Sequence, residues 1–211
     1  MAQGFAQGDH ICALYETEEE QLAIAARYVA EGLRRGERCL FVGRSPALIQ
    51  RFRLTLGKLG VDVSNMVQQR ALIEATNAEA HLAGGHFDSE RMLQLLNGAL
   101  EAALNDGFQG LRTCGDMSWL VDKPQGAEQV VEYEALLNQF FRGVRAAGMC
   151  LFDCNRLPSD LMDHALATHS SVVLQRGHVT NPFYEAPHIA RTRLPQPDKV
   201  PWKLAELRRS L

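Results

Sequence analysis

The chain has 211 residues, of which 46% are apolar and 22% charged, and a formal net charge of −3. That is enough for one domain with a substantial core and typical of soluble globular proteins. It speaks against a dedicated nucleic-acid binder, which carries a basic domain or face, and no run of about 18 apolar residues suggests a transmembrane helix. Residues 1–9 lack the basic-then-apolar order of a signal peptide, so a cytoplasmic location is expected. Five cysteines, Cys12, Cys39, Cys114, Cys150 and Cys154, are odd in number and scattered, which argues against a disulfide framework.

His10 to Tyr15 is short and mostly apolar and predicts a buried strand. Thr17-Glu18-Glu19-Glu20 then fits a capping box, and Leu22, Ala26, Val29 and Leu33 follow at helical spacing up to a stop at Gly36. Cys39–Val42 reads as a second strand, and Ser45-Pro46 opens a second helix running to about Gly57 or Gly60. Ala71–Ala75 is a weaker third strand. Asp88 or Ser89 caps a helix carrying Met92, Leu95, Leu96, Ala99, Leu100 and Ala103.

Gly110–Asp116 predicts a fourth strand. A loop around Lys123-Pro124-Gln125-Gly126 leads to a long helix carrying Val130, Tyr133, Leu137, Phe140 and Val144. Met149–Asp153 is the fifth strand, Ser159 can cap a short helix, and Ser171–Leu174 is the sixth strand. From Pro182 onward repeated prolines suggest an extended tail, with a short final helix over Trp202–Leu211 that packs on the domain or docks on a partner chain. Alternating strands and helices predict an α/β fold: three layers, a mostly parallel sheet with helices on both faces.

Ligands of open α/β sheets collect at the carboxyl ends of strands. Those ends read Tyr15-Glu16, Gly43-Arg44, Thr76-Asn77, Asp116 to Trp119, and Asp153 to Arg156. A nucleotide-binding domain would place Gly-x-x-x-x-Gly-Lys-Ser/Thr after the first strand, where amides and a lysine hold phosphates. This chain has Tyr15-Glu16-Thr17-Glu18-Glu19-Glu20 instead: no glycine, no lysine, and four carboxylates that would repel a triphosphate. Met149–Asp153 and Leu111–Asp116 are apolar strands ending in aspartate, a shape shared with magnesium-holding strands, but without a phosphate loop they predict an acceptor or a turn.

No HExxH or CxxC spacing joins the seven histidines and five cysteines, so no metal is expected. Gly-x-Ser-x-Gly is absent, and no catalytic residue is expected. Cys114 reads as a buried, inert thiol; Cys154, just past a strand end, is left open as a reactive one. Arg112 is a charge inside a strand and needs a partner, with Asp116 or Glu134 the candidates or a bound anion the alternative.

Taken together, Gly8-Asp9-His10-Ile11-Cys12 with Tyr15, Gly32 to Glu37, Gly85 with Phe87-Asp88, Gly110-Leu111-Arg112 leading to Gly115 through Trp119, Tyr133-Glu134-Ala135 with Asn138, Asp153, His169 and Asn181 through Tyr184 resemble the MEDS family, a sensory domain of methanogen and methylotroph regulators. The resemblance covers roughly residues 8–188, leaving 189–211 as a carboxyl-terminal extension. It implies a RecA/KaiC-like fold without ATPase motifs and a role in sensing small organic molecules. Family members are often fused to a histidine kinase or DNA-binding domain; this chain ends soon after the domain, so signalling in trans or through an oligomer such as a homodimer is expected. A second departure is Asp153-Cys154, where the resemblance would lead to aspartate followed by a basic residue.

The expected function is a non-catalytic signal-transduction sensor binding a small, largely apolar organic ligand, with no cofactor, no direct nucleic-acid contact and no membrane, relaying to a kinase or transcription regulator. A ligand-free interaction scaffold is the alternative. The candidate ligand-binding residues are His10, Tyr15, Arg44, Asp116, Trp119, Asp153, Arg156 and Tyr184.

Overall fold

The computed structural model of the chain describes residues 4–174, 177–190, 192 and 194–210. Residues 1–3 of the amino-terminal reading and Leu211 of the expected last helix lie outside the described residues. The strands are β1 (His10–Tyr15), β2 (Arg38–Gly43), β3 (Leu72–Thr76), β4 (Leu111–Asp116), β5 (Ala146–Asp153), β6 (Ser171–Leu174) and β7 (Gly177–Thr180). They form one sheet in the order β3-β2-β4-β5-β1-β6-β7, parallel throughout except for the antiparallel edge strand β7.

The helices are α1 (Glu18–Arg34), α2 (Pro46–Gly57), α3 (Val63–Gln68), α4 (Ser89–Asn105), α5 (Val130–Phe141), α6 (Ser159–Thr168), α7 (Pro187–Ala190) and α8 (Val200–Arg209). Three caps follow from sequence. The Thr17, Ser45 and Asp88 side chains each accept from a backbone amide three residues on, at 3.2, 3.2 and 2.9 Å.

Side chains alternate across β1 and divide the core in two. Ile11, Ala13 and Tyr15 pack with Ile24 and Tyr28 of α1 and Phe52 of α2. Cys12 and Leu14 face the other way, into a core with Leu96 of α4, Leu137 and Phe141 of α5, and Leu166 of α6. Every residue of β1, β2 and β5 is buried, as a parallel sheet covered on both faces requires. Gly148 of β5 sets how closely α5 approaches the sheet. A Cβ there would lie 2.3 Å from the Phe141 ring, so only glycine lets that ring lie against the strand.

Three elements, α3, β7 and the short α7, have no counterpart in the periodicity. α3 fully buries none of its residues; Val63 and Met66 rest only partly buried against the α1-side core. β7 is four residues long and only partly buried. α5 ends at Phe141, short of Val144, near Gly143 at φ +77°. The region after Pro182 is not simply an extended tail. α8 buries Val200 and Leu207 in the α5/α6-side core, Lys203 Nζ lies 2.7 Å from the buried Asp163 Oδ1, and Arg208 pairs with Glu16. Trp202 remains 55% exposed, edge-on to Phe183. Among the described residues no helix is long and apolar enough to cross a membrane.

Candidate functional site

The turn from β1 into α1 is held by its own carboxylates. Thr17 caps the helix, and Glu20 Oε2 accepts from the Glu16 amide at 2.9 Å. Glu18 pairs with Arg44 and Arg51, Glu19 lies 3.1 Å from Arg51, and Glu16 pairs with Arg208. Acidic side chains thus take up the Glu16 amide and the nearby cations that a phosphate group would need.

Parallel register brings five of the predicted residues together. Tyr15 is paired in register with Asp153, and both point to the α1 side along with Asp116. Asp116 is buried and fully used: Oδ2 accepts from Gln21 Nε2 and Oδ1 from the Ser118 amide, each at 2.8 Å. Asp153 Oδ1 accepts from the Asn155 amide at 2.9 Å. Burial raises the Tyr15 pKa, Asp116 and Asp153 add to the rise, and Arg44 and Arg156 oppose it, so the phenol keeps its proton. Among the described residues the buried Tyr15 hydroxyl and Gln21 Oε1 have no hydrogen-bond partner, which makes them the free donor and acceptor of this strand-end group.

The other three predicted residues sit elsewhere. Trp119 is buried on the α4/α5 side, stacked between His81 at 5.6 Å and Phe87 at 4.7 Å, and among the described residues its indole N–H has no partner. Tyr184 follows β7, whose antiparallel course returns the chain to the amino-terminal edge of the sheet, opposite Tyr15. His10 opens β1 at that same far edge. Arg112 pairs with neither Asp116 nor Glu134. Its Nε lies 2.5 Å from Glu37 Oε2, and its guanidinium covers the Tyr28 ring at 4.6 Å. Asp116 lies four residues further along the same strand, about 13 Å away at 3.3 Å per residue, and Glu134 belongs to the opposite face. Cys114 is buried with its thiol pKa pushed up by burial, and Cys154 is pushed up to about 12, burial first and Glu16 second; neither is an activated nucleophile.

A small apolar chamber of about 40 Å³ lies between the sheet and α4/α5. Leu40, Val42, Ala80, Met92, Leu96, Met117, Tyr133, Leu137 and Phe141 line it, with His81, Thr113, Cys114 and Cys150 as polar neighbours. It touches β4 on either side of Asp116, at Gly115 and Met117.

Beyond the chamber's Cys150 wall is a group that no sequence spacing foreshadows. His10, Glu134, Cys150 and His169 are all buried, and one ligating atom of each lies within 4.8 Å of the others. Glu134 Oε2 is 3.2 Å from His10 Nε2 and 3.3 Å from His169 Nε2; Cys150 Sγ is 3.6 Å from His10 Nε2 and 3.9 Å from Glu134 Oε2. Burial lowers the His10 pKa to about 4 and that of His169 to about 3, so both rings are neutral near pH 7 and these contacts are not ion pairs. Burial raises the Glu134 and Cys150 values. One signal was present in the sequence: Glu134 falls four residues after Val130, inside the buried stripe of its helix, where a carboxylate needs a partner.

A curated relative, the transcriptional repressor DcmR of Methylorubrum extorquens, is 26% identical over 163 residues, covering 76% of this chain and 58% of the repressor. The chain therefore spans little more than half the length of that relative. A solved structure of a KaiC-like protein from Pyrococcus horikoshii superimposes with a TM-score of 0.55 at 13% identity, over 81% of this chain and 72% of that one, which shows a shared RecA/KaiC-like fold. The model of the MEDS family, described as the methanogen/methylotroph DcmR sensory domain, matches residues 9–170, and on that match the chain belongs to the MEDS family of sensory domains.

Proposed function

We propose that this chain is a non-catalytic cytoplasmic sensor in which a small apolar organic molecule of a few heavy atoms enters the chamber under α4 and α5. The observation that carries the reading is the chamber itself: small, mostly apolar and set against the sheet, with a histidine, a threonine and two thiols as its polar neighbours. The carboxylate-held turn before α1 supports it by disfavouring a nucleotide at the strand ends. At about 40 Å³ the chamber suits a ligand smaller than benzene, which fills an engineered cavity of about 150 Å³.

The chamber has a mechanical route to the surface. Gly115 and Met117 flank Asp116, and Asp116 holds Gln21 of α1 on the other face of the sheet. Ligand-driven movement at Met117 would pull on that bond and on the neighbouring Tyr15, Arg44, Asp153 and Arg156. Arg44 and Arg156, the members of that group that reach solvent, offer the surface a partner regulator or histidine kinase would read, in trans or within a homodimer.

A thermal-shift screen of about one- to six-heavy-atom hydrocarbons, halocarbons and thioethers tests the reading. A ligand at 100 times its Kd adds about 2.7 kcal/mol, or about 5–10 °C for a chain of this size. Ala80→Leu fills the chamber and should abolish the response. A screen in which no compound stabilises the wild-type chain, or one whose hits are indifferent to Ala80→Leu, rejects the chamber as the sensing site.

A further inference from the structure

We propose that His10, Glu134, Cys150 and His169 bind a divalent transition-metal ion of the zinc class, in a closed four-coordinate site on the α5/α6 side of the sheet. The site shares Cys150 with the wall of the organic-ligand chamber, but its other three donors and its test are its own.

Distances come first. Tetrahedral zinc holds nitrogen and oxygen at about 2.0–2.1 Å and sulfur at about 2.3 Å, so the edges between its ligands span roughly 3.3–3.6 Å. Four of the six edges are 3.2, 3.3, 3.6 and 3.9 Å. The two that remain, from His169 to His10 and to Cys150, are within 4.8 Å, so the donors need close by no more than about an ångström to reach the corners of such a tetrahedron.

Lone pairs come second. His169 Nδ1 lies 2.7 Å from the Ala165 carbonyl oxygen, which can only accept, so the proton sits on Nδ1. Asn138 donates its amide N–H groups to the Glu134 and Thr168 carbonyls at 3.0 and 2.7 Å, which leaves its Oδ1 as the acceptor facing His10 Nδ1 at 3.4 Å. Both rings therefore turn an unprotonated Nε2 toward Glu134 Oε2. Three acceptor atoms converge in the buried interior, and among the described residues no donor reaches His169 Nε2 or Glu134 Oε1. Within the group the Cys150 thiol is the donor beside these acceptors, 3.6 Å from His10 Nε2 and 3.9 Å from Glu134 Oε2. A cation at the centre satisfies all four atoms at once. Histidines whose second nitrogen is pinned by an oxygen acceptor are also the usual outer support of a metal site.

Charge comes third. Binding would release the Cys150 thiol proton, with any proton on Glu134, to solvent. The resulting thiolate and carboxylate carry two negative charges against the ion's two positive ones, with both histidines neutral. The site is then uncharged overall, as a buried site must be. An N2OS donor set suits zinc or cobalt(II) over magnesium or calcium, which take oxygen. The four ligands come from β1, α5, β5 and the junction of α6 with β6, so the ion would tie the far edge of the sheet to its covering helices.

The test uses the full chain, stripped with a chelator and titrated with Co2+ alone, then with Zn2+. One Co2+ per chain should bind, with the visible bands of a tetrahedral ion and a near-ultraviolet sulfur-to-metal band, and Zn2+ should bleach both. Cys150→Ser should lose the near-ultraviolet band. His169→Gln should weaken binding at least about 100-fold and Asn138→Ala, which only positions His10, about 10-fold. X-ray absorption of the zinc-loaded wild-type chain decides the matter even if every variant misfolds: one sulfur at about 2.3 Å and three nitrogen or oxygen neighbours at about 2.0–2.1 Å are expected. No binding, an octahedral cobalt spectrum, a shell with no sulfur or with two, or unchanged affinity in folded His169→Gln would overturn the assignment.

Discussion

Arg112 is fully buried in β4 and stays charged because Glu37 and the Tyr28 ring meet it there. Gly32 of α1 makes room for it: a Cβ at that position would lie 2.5 Å from Arg112 Cδ. Removing one partner strands the other, so Arg112→Met should destabilise the fold by about 3–5 kcal/mol in urea unfolding, and adding Glu37→Leu should recover much of that. His81 supplies a second test. Burial lowers its pKa from 6.5 to about 4. The folded chain therefore resists a proton that the unfolded chain accepts. Its contribution is complete above pH 6.5 and is lost as pH falls toward 4. Between pH 7 and pH 5 that is about 2 kcal/mol at 1.36 kcal/mol per pH unit. His81→Gln should flatten the fall in unfolding free energy over this range by that amount; an unchanged slope would show that His81 titrates normally. That Arg112 needs a partner was legible in its type and position. Which partner was not, because Glu37 is 75 residues away in sequence and reaches it only through the pairing of β2 with β4, which sets Cys39 beside Arg112.

Elements whose signal is local were readable. Thr17, Ser45 and Asp88 cap the helices they were expected to cap, and six strands follow apolar runs. α3 and β7 were not readable, since neither buries a periodic face. The carboxyl-terminal region shows the same limit from the other side. Its prolines suggest an extended chain, whereas Pro201 sits in the first turn of α8, where a missing amide costs nothing. Leu207 of that helix is fully buried in the core, so Leu207→Ala should cost about 2–5 kcal/mol in urea unfolding. Leu194, 83% exposed, gives the control: Leu194→Ala should stay within about 0.5 kcal/mol. Equal effects of the two substitutions would mean that α8 does not pack on the domain.

At the scale of the molecule, the sheet separates three places by face and edge. The strand-end group of Tyr15, Arg44, Asp116, Asp153 and Arg156 lies at the carboxyl edge, and parallel order alone made it legible. The apolar chamber lies on the α4/α5 face, where the cavity depends on how side chains from separate elements fail to fill it. The His10, Glu134, Cys150 and His169 group lies near the amino edge, assembled from four distant positions whose spacing carries no motif. His10 was singled out with the first group and belongs to the third, because a strand's two ends are some 17 Å apart for about five residue steps. Carbon-13 methyl spectra of the methionines read the chamber directly. Met92 and Met117 face it from α4 and the β4 end, while Met66 of α3 packs against the core on the opposite side of the sheet. A small apolar compound that stabilises the chain should shift the Met92 and Met117 methyl signals and leave Met66 in place, and Mg2+-ATP should shift none of them. Methyl signals indifferent to every such compound, together with micromolar ATP binding at Glu18 to Glu20, would contradict a sensor built on a chamber and restore a nucleotide site.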